Sequence, residues 1–241
     1  MSNLETLDDL MIDNLRIFQR TDQFRFSFDA IALVHFCQFN RHHRYVDLGT
    51  GTGIIPLVGT SLGAGHITGI EINAIVADLA KRSVMYNHKS DVVHIEEGDY
   101  RQMSYQMFAN KPFDGVLVNP PYFDHTGGDV PRESSRTIAL HDGYTTLEEV
   151  ASSAKRFVKY KGRLWMVYSA PRLAEAFNIL KTHQFAVKRL RMVHGRMDKP
   201  AKIVLIEAIQ GGQERMIVEQ PLIVYHGLNE YTEEVSRWYE G

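Results

Sequence analysis

The chain has one cysteine, Cys37, which excludes an internal disulfide and a cysteine-rich zinc site. It sits in Val34-His-Phe-Cys-Gln-Phe and reads as a small buried hydrophobe. No apolar run approaches the roughly 20 residues a membrane-crossing helix needs. The polar, acidic start through Asp9 lacks the basic and apolar regions of a signal peptide, so the chain reads as cytoplasmic. The eleven histidines are scattered without His-x-x-x-His spacing, and no metal site is expected. A net charge of −2 excludes a global polyanion-binding surface.

What is present is a globular composition, 44% hydrophobic and 23% charged over 241 residues, enough for one large domain. Residues 1–40 read as an N-terminal segment, 41–212 as the main domain and 213–241 as an extension packed on it. From Tyr45 onward, strand-like and helix-like runs alternate. Strands are predicted at Tyr45–Leu48, His66–Ile72, Val92–Ile95, Phe113–Val118, Arg163–Tyr168, Phe185–Val193 and Ile203–Ile209. Helices are predicted at Ile54–Leu62, Ala74–Tyr86, a body at Val150–Val158 started by Thr145/Thr146 with Glu148 and Glu149, and Arg172–Thr182. Such alternation gives an α/β, Rossmann-like sheet of seven strands, mostly parallel. The last two strands are too close for a helical crossover and should form an antiparallel hairpin. Residues 123–144 read as a long substrate-side loop.

Two motifs carry chemistry. Asp47-Leu-Gly49-Thr-Gly51-Thr-Gly53 follows the first strand, and Asn119-Pro120-Pro121-Tyr122 ends the fourth. The glycines let a backbone approach a ligand closely. Gly-x-Gly-x-x-Gly would require glycine at Ile54, and Asp47 would crowd a pyrophosphate, so a dinucleotide fits poorly. Asp47 suits an ammonium, Glu71 two ribose hydroxyls, and Asp99 an adenine amino group; together these describe S-adenosylmethionine. Asn119 offers an amide oxygen, and Pro121 holds Pro120 extended so that its carbonyl is a second acceptor. Tyr122 offers a stacking face, and the three together suit the exocyclic amino group of adenine. Each residue taken alone could instead be a turn former or a strand-end cap.

Charge is locally uneven. Lys155, Arg156, Lys159, Lys161 and Arg163 form one basic cluster; Lys188, Arg189, Arg191, Arg196, Lys199 and Lys202 form a second. They read either as solvated faces of a helix and a strand or as a grip on nucleic acid.

The ordered set Asp47-Leu-Gly-Thr-Gly-Thr-Gly, Glu71-Ile-Asn, Gly98-Asp99 and Asn119-Pro-Pro-Tyr resembles the motifs of class I S-adenosylmethionine-dependent methyltransferases that methylate amino groups. Arg25-Phe-Ser-Phe-Asp29-Ala-Ile is similar to the upstream cofactor motif of bacterial tRNA adenine-N6 methyltransferases, which modify the adenosine 3′ of the anticodon in a valine tRNA. Ala170-Pro-Arg-Leu, Lys188-Arg-Leu-Arg and Lys199-Pro-Ala-Lys-Ile-Val-Leu also look like this group, so the resemblance spans most of the chain. It implies a cofactor set of Phe26, Asp29, Asp47, Gly49, Thr50, Gly51, Gly53, Glu71, Ile72, Asp99, Tyr100 and Asn119. The implied catalytic set is Asn119, Pro120, Pro121 and Tyr122, and the implied RNA contacts are Lys155, Arg156, Lys188, Arg189, Arg191, Arg196, Lys199 and Lys202. Protein glutamine methyltransferases share Asn-Pro-Pro-Tyr, but carry a helical substrate domain for which the 46 residues before Asp47 leave little room. Ribosomal guanine-N2 methyltransferases commonly have Phe where Tyr122 stands. A non-catalytic RNA-binding protein of the same fold is the reading from another class.

Overall fold

The computed structural model describes residues 4–23, 27–120, 145–228 and 230–240. An antiparallel pair, β1 (Glu5–Asp9) and β2 (Arg16–Arg20), comes first, followed by α1 (Phe28–Phe36). The sequence pattern predicts none of these three. In α1, six of nine residues are buried, so its apolar positions wrap the helix and show no 3.6-residue period.

The alternating region then runs β3 (Tyr45–Leu48), α2 (Ile54–Ser61), β4 (Ile67–Glu71), α3 (Ala74–Tyr86), β5 (Val93–Glu97) and β6 (Phe113–Val118). It continues with α4 (Leu147–Phe157), β7 (Val158–Ser169), α5 (Leu173–Thr182), β8 (Phe185–Arg196) and β9 (Ile203–Gln210). Caps set the helix starts. Asn73 Oδ1 accepts from the backbone N–H of Ile75 at 3.0 Å, and Thr146 with Glu149 closes a reciprocal capping box on α4.

The expected seven strands are too few, for the main sheet has nine. β10 (Ile217–Val218) and β11 (Leu222–Tyr225) both pair in parallel with β8; β10 is too short to display a period of two, and β11 alternates in burial although its sequence, Leu-Ile-Val-Tyr, is apolar throughout. The rest of the sheet runs β8-β9-β7-β6-β3-β4-β5, parallel except around β9, which is antiparallel to both neighbours. β7 begins five residues earlier than its apolar pattern indicates, because Val158 already pairs with Phe113.

Strand alternation divides the core into two halves. Tyr45, Leu117, Trp165, Val167 and Leu205 face α1 and α2, while Val46, Leu48, Val116, Val118, Met166 and Ile206 face α4 and α5. Among the described residues, no helix is long and apolar enough to cross a membrane.

One acid breaks the apolar pattern of β9. Glu207, 1% exposed in its side chain, pairs with Arg189 at 2.6 Å and with Arg163, and accepts from Trp165 Nε1 at 3.0 Å. Arg189 and Trp165 are its direct cross-strand neighbours. Glu207→Ala should destabilise the protein by about 2 kcal/mol, because the buried Trp165 Nε1 loses its acceptor and Arg189 loses one of its two carboxylate partners. Glu207→Gln, which keeps an acceptor, should cost less. Urea unfolding of the three proteins checks the order, and equal midpoints would remove the hub.

Candidate active site

The chain leaves β3 outward to β4 and β5, then returns to place β6 on the other side of β3. This reversal lies between the glycine loop and Asn119, and in open sheets of this kind ligands sit outside the strand ends at such a point. Register sharpens the placement. Leu48, Ile70, Glu96 and Val118 form one cross-strand row, so Gly49, Glu71, Glu97 and Asn119 occupy the next level.

The loop after β3 turns on left-handed residues, with φ of +76° at Gly49, +58° at Gly51 and +89° at Gly53. The N–H groups of Gly49 and Thr50 both donate to the Ile70 carbonyl at 2.9 Å. A Cβ built on Gly51 would meet nothing within 4 Å, so open space borders the backbone there. Glu71 fixes this shape: its Oε2 accepts from the Gly51 N–H and its Oε1 from the Asn73 N–H, both at 2.9 Å.

Asp47 is fully buried, and among the described residues neither carboxylate oxygen has a hydrogen-bond partner. Burial pushes its pKa up to about 7; the Thr50 hydroxyl nearby works against that without forming a well-aligned bond, and the Glu71 charge adds to it. An orphaned buried acid beside an open backbone cradle is the donor set that a cationic, hydroxyl-bearing ligand completes.

The other expected cofactor residues are less uniform. Asp99 follows β5, but Arg101 grips its carboxylate through Nε at 2.9 Å and holds its pKa below the usual range. Tyr100 lies beside the loop, 3.9 Å from a Cβ built on Gly49, and burial pushes its hydroxyl up to about 12. Ile72 is 40% exposed. Asp29 stands in the first turn of α1, and burial raises its pKa. Asn119 is half-buried and Pro120 buried. Phe26, Pro121, Tyr122 and the loop 123–144 lie outside the described residues.

The basic clusters do not form one continuous grip: Arg163 of the first and Arg189 of the second meet at Glu207, and the rest of the second cluster runs along β8 to the opposite end of the sheet. Arg163 pairs with Ile209 at the end of the sheet away from Asn119, and Lys159 and Lys161 precede it there. The β8–β9 turn, with Arg196, Lys199 and Lys202, stands at the site end, since Val193 pairs with Ile203 and Ile203 with Ser169. Several of the cations are held inside the fold. Arg156 donates to the Arg101 carbonyl at 2.6 Å, Arg189 binds Glu207 and Glu219, and Arg191 binds Glu234 through both terminal nitrogens at 2.7 Å. Lys188 donates to the Gln213 carbonyl at 3.0 Å. Lys155, Arg196, Lys199 and Lys202 are exposed. A cavity of about 870 Å³, walled by Tyr160, Phe177, Phe185 and Met216, opens at the far end of β8 and contains none of the site residues.

Residues 28–192 match the model of the methyltransferase small domain family. The chain belongs to that family. A Porphyromonas gingivalis protein named tRNA1(Val) (adenine(37)-N6)-methyltransferase is 30% identical over 164 residues, 67% of this chain and 64% of the relative, so the chain spans just under two thirds of that relative's length. A protein of the same name from Bacteroides thetaiotaomicron is 25% identical over 220 residues, 88% of both chains. Among solved structures, a predicted O-methyltransferase from Agrobacterium tumefaciens superposes with a TM-score of 0.69 at 22% identity, covering 88% of this chain and 96% of the other. TYW2 of P. horikoshii, solved in complex with MeSAdo, gives 0.61 at 12% identity, covering 88% and 73%. These structures share the methyltransferase fold.

The state of Asp47 can be read from pH. An acid whose pKa rises from 3.8 to about 7 on folding costs stability as pH climbs through that window, because the unfolded chain releases the proton while the buried group retains it. Asp47→Asn cannot ionise, so without ligand it should gain on the wild type by on the order of 2–3 kcal/mol between about pH 5 and about pH 8. Parallel unfolding midpoints for the two proteins across that range would show that no buried charge is relieved.

Proposed function

We propose that the protein transfers the methyl group of S-adenosylmethionine to N6 of an adenosine in tRNA, the adenosine 3′ of the anticodon of a valine tRNA being the favoured target. One observation carries this reading: Asn119 lies level with the glycine loop and across the sheet's reversal point from the orphaned Asp47 carboxylate. A pocket for a cation-bearing ligand thus adjoins an amide acceptor. The motif resemblance and the names of the relatives select the substrate.

S-adenosylmethionine, when bound, supplies a methyl group on a positively charged sulfur. Asp47 would hold its ammonium and Glu71 its ribose hydroxyls, with the backbone around Gly51 in close approach. Asp99 and Tyr100 flank the adenine side, Asp99 retaining Arg101 while it accepts a further hydrogen bond; Phe26, Asp29, Thr50 and Ile72 complete the enclosure. The target amino group is a poor nucleophile because its lone pair is delocalised into the ring. By accepting its two N–H groups, the Asn119 amide oxygen and the Pro120 carbonyl aim that lone pair outward and favour the pyramidal nitrogen of the transition state. Tyr122 would stack on the base, and Pro121 would restrict the residue before it to an extended backbone. The proton leaves after transfer, so positioning supplies most of the rate. The base must be unpaired, which suits an anticodon loop in the cytoplasm.

The RNA grip is placed on the β8–β9 turn. Arg196, Lys199 and Lys202 surround Met197, 85% exposed, at the site end of the sheet. Lys155 and Lys188 lie further off, and Arg156, Arg189 and Arg191 serve the fold first.

Labelled methyl transfer to bulk tRNA from cells lacking the gene, followed by nucleoside analysis, tests the reading; label in N6-methyladenosine supports it, and label in N2-methylguanosine overturns it. Asn119→Ala should keep cofactor affinity and lose on the order of a hundredfold in kcat under single-turnover conditions. A wild-type rate would remove the amide from the chemistry. Lys199→Ala with Lys202→Ala should weaken RNA binding and lower the salt slope by about 2 while sparing kcat at saturating RNA. An unchanged slope would move the grip elsewhere.

A further inference from the structure

The last described residues of the chain pack on α1. A train of aromatic rings runs from Tyr225 to Tyr231 (5.1 Å between centroids, 14° between planes), to Phe28 (6.4 Å, 24°), to Trp238 (5.8 Å, 20°) and to His35 (4.5 Å, 5°). Phe28 and His35 are the first and eighth residues of α1, so Tyr231 and Trp238 grip it along its length. The grip is itself anchored: Val235 is fully buried, the Thr232 hydroxyl donates to the Ile223 carbonyl at 2.7 Å, and Glu234 holds Arg191.

α1 starts at the site end of the sheet. Its Phe36 carbonyl, near the helix end, accepts from Arg189, which sits on Glu207 toward the end of the sheet away from Asn119. Phe28, at the helix start, reaches through Tyr231 to Tyr225, which pairs with Arg196 at the site end, the end at which Gly53 opens α2. Asp47 projects from β3 on the side of the sheet that α1 and α2 cover, since it shares the face of Tyr45. Ser27 offers α1 no side-chain capping bond, so ring packing on Phe28 is the local restraint seen on this turn.

We propose that Trp238 and Tyr231 are positioning residues for the cofactor site, clamping Phe28 so that the adjacent Asp29 is held beside the glycine loop. The clamp rests on the cofactor assignment made above. His35 fits this role as a neutral ring, for burial lowers its pKa to about 4 and its Nε2 has no hydrogen-bond partner among the described residues.

The test uses the full chain, S-adenosylhomocysteine titration and steady-state methyl transfer. Trp238→Ala should raise the Kd for S-adenosylhomocysteine and the KM for the methyl donor about tenfold, with kcat at saturating donor within about twofold of wild type, as expected from losing one well-stacked aromatic contact. Trp238→Phe, which keeps a flat ring, should restore most of the affinity. Tyr231→Leu, which keeps apolar bulk and loses the stacking face, serves if Trp238→Ala does not fold, and should raise the same Kd about threefold. Melting temperature lowered without a change in Kd, in either folded variant, would make the segment a brace only and overturn the clamp. A wild-type chain that binds no S-adenosylhomocysteine would instead overturn the cofactor assignment itself.

Discussion

The Glu71 carboxylate joins the first two strand–helix turns into one object. By accepting from Gly51 and from Asn73 it fixes the height of the glycine loop against the start of α3. A loop with three residues at positive φ has many conformations open to it, and two charge-assisted bonds to one buried acid remove most of that freedom. The pinned loop is the surface on which the neighbouring groups converge: Tyr100 packs toward Gly49, Thr50 turns toward Asp47, and Asn119 enters at the same level from the neighbouring strand. An acid read in the sequence as a ligand contact is thus also part of the frame.

The alternating elements were legible because each is an apolar run bounded by polar or glycine-bearing turns, continuous in the doubly covered strands β3, β4 and β6 and striped in α3 and α5. β3, α3, β6, α5 and β9 fall within a residue of the expected spans. The pieces that escaped lack a period. α1 is apolar all round, β10 has two residues, and β1 with β2 carries the acid-rich start of the chain. The candidate site drew notice in the sequence because Asp47, Glu71 and Asn119 each interrupt or end an apolar run. Their individual states were not legible. Nothing in the sequence separates the unpartnered Asp47 from Asp99, whose own neighbour Arg101 satisfies it.

The basic clusters illustrate a limit of reading charge along a chain. Arg163 and Arg189 look like parts of a surface grip, yet both converge on Glu207, the one acid in Ile203-Val-Leu-Ile-Glu-Ala-Ile. A lone acid within an apolar strand was the available signal, since such a group must find cations. Strand direction did the rest, sending Lys159 and Lys161 to one end of the sheet and the β8–β9 turn to the other.

The position of β9 has a consequence for how the chain emerges from the ribosome. β8 is synthesised before β9, yet it has no place in the sheet until β9 lies between it and β7. Until residue 210 is available, the growing sheet ends at the open edge of β7, and β8 is a strand without a neighbour. Open edges of that kind invite pairing with other nascent chains. The fold is therefore closed from its far end, and the glycine loop, although translated early, waits for the last strands and the tail to be secured. A message truncated after the Asn119 motif would encode both sequence motifs and still yield a sheet exposed along its growing side.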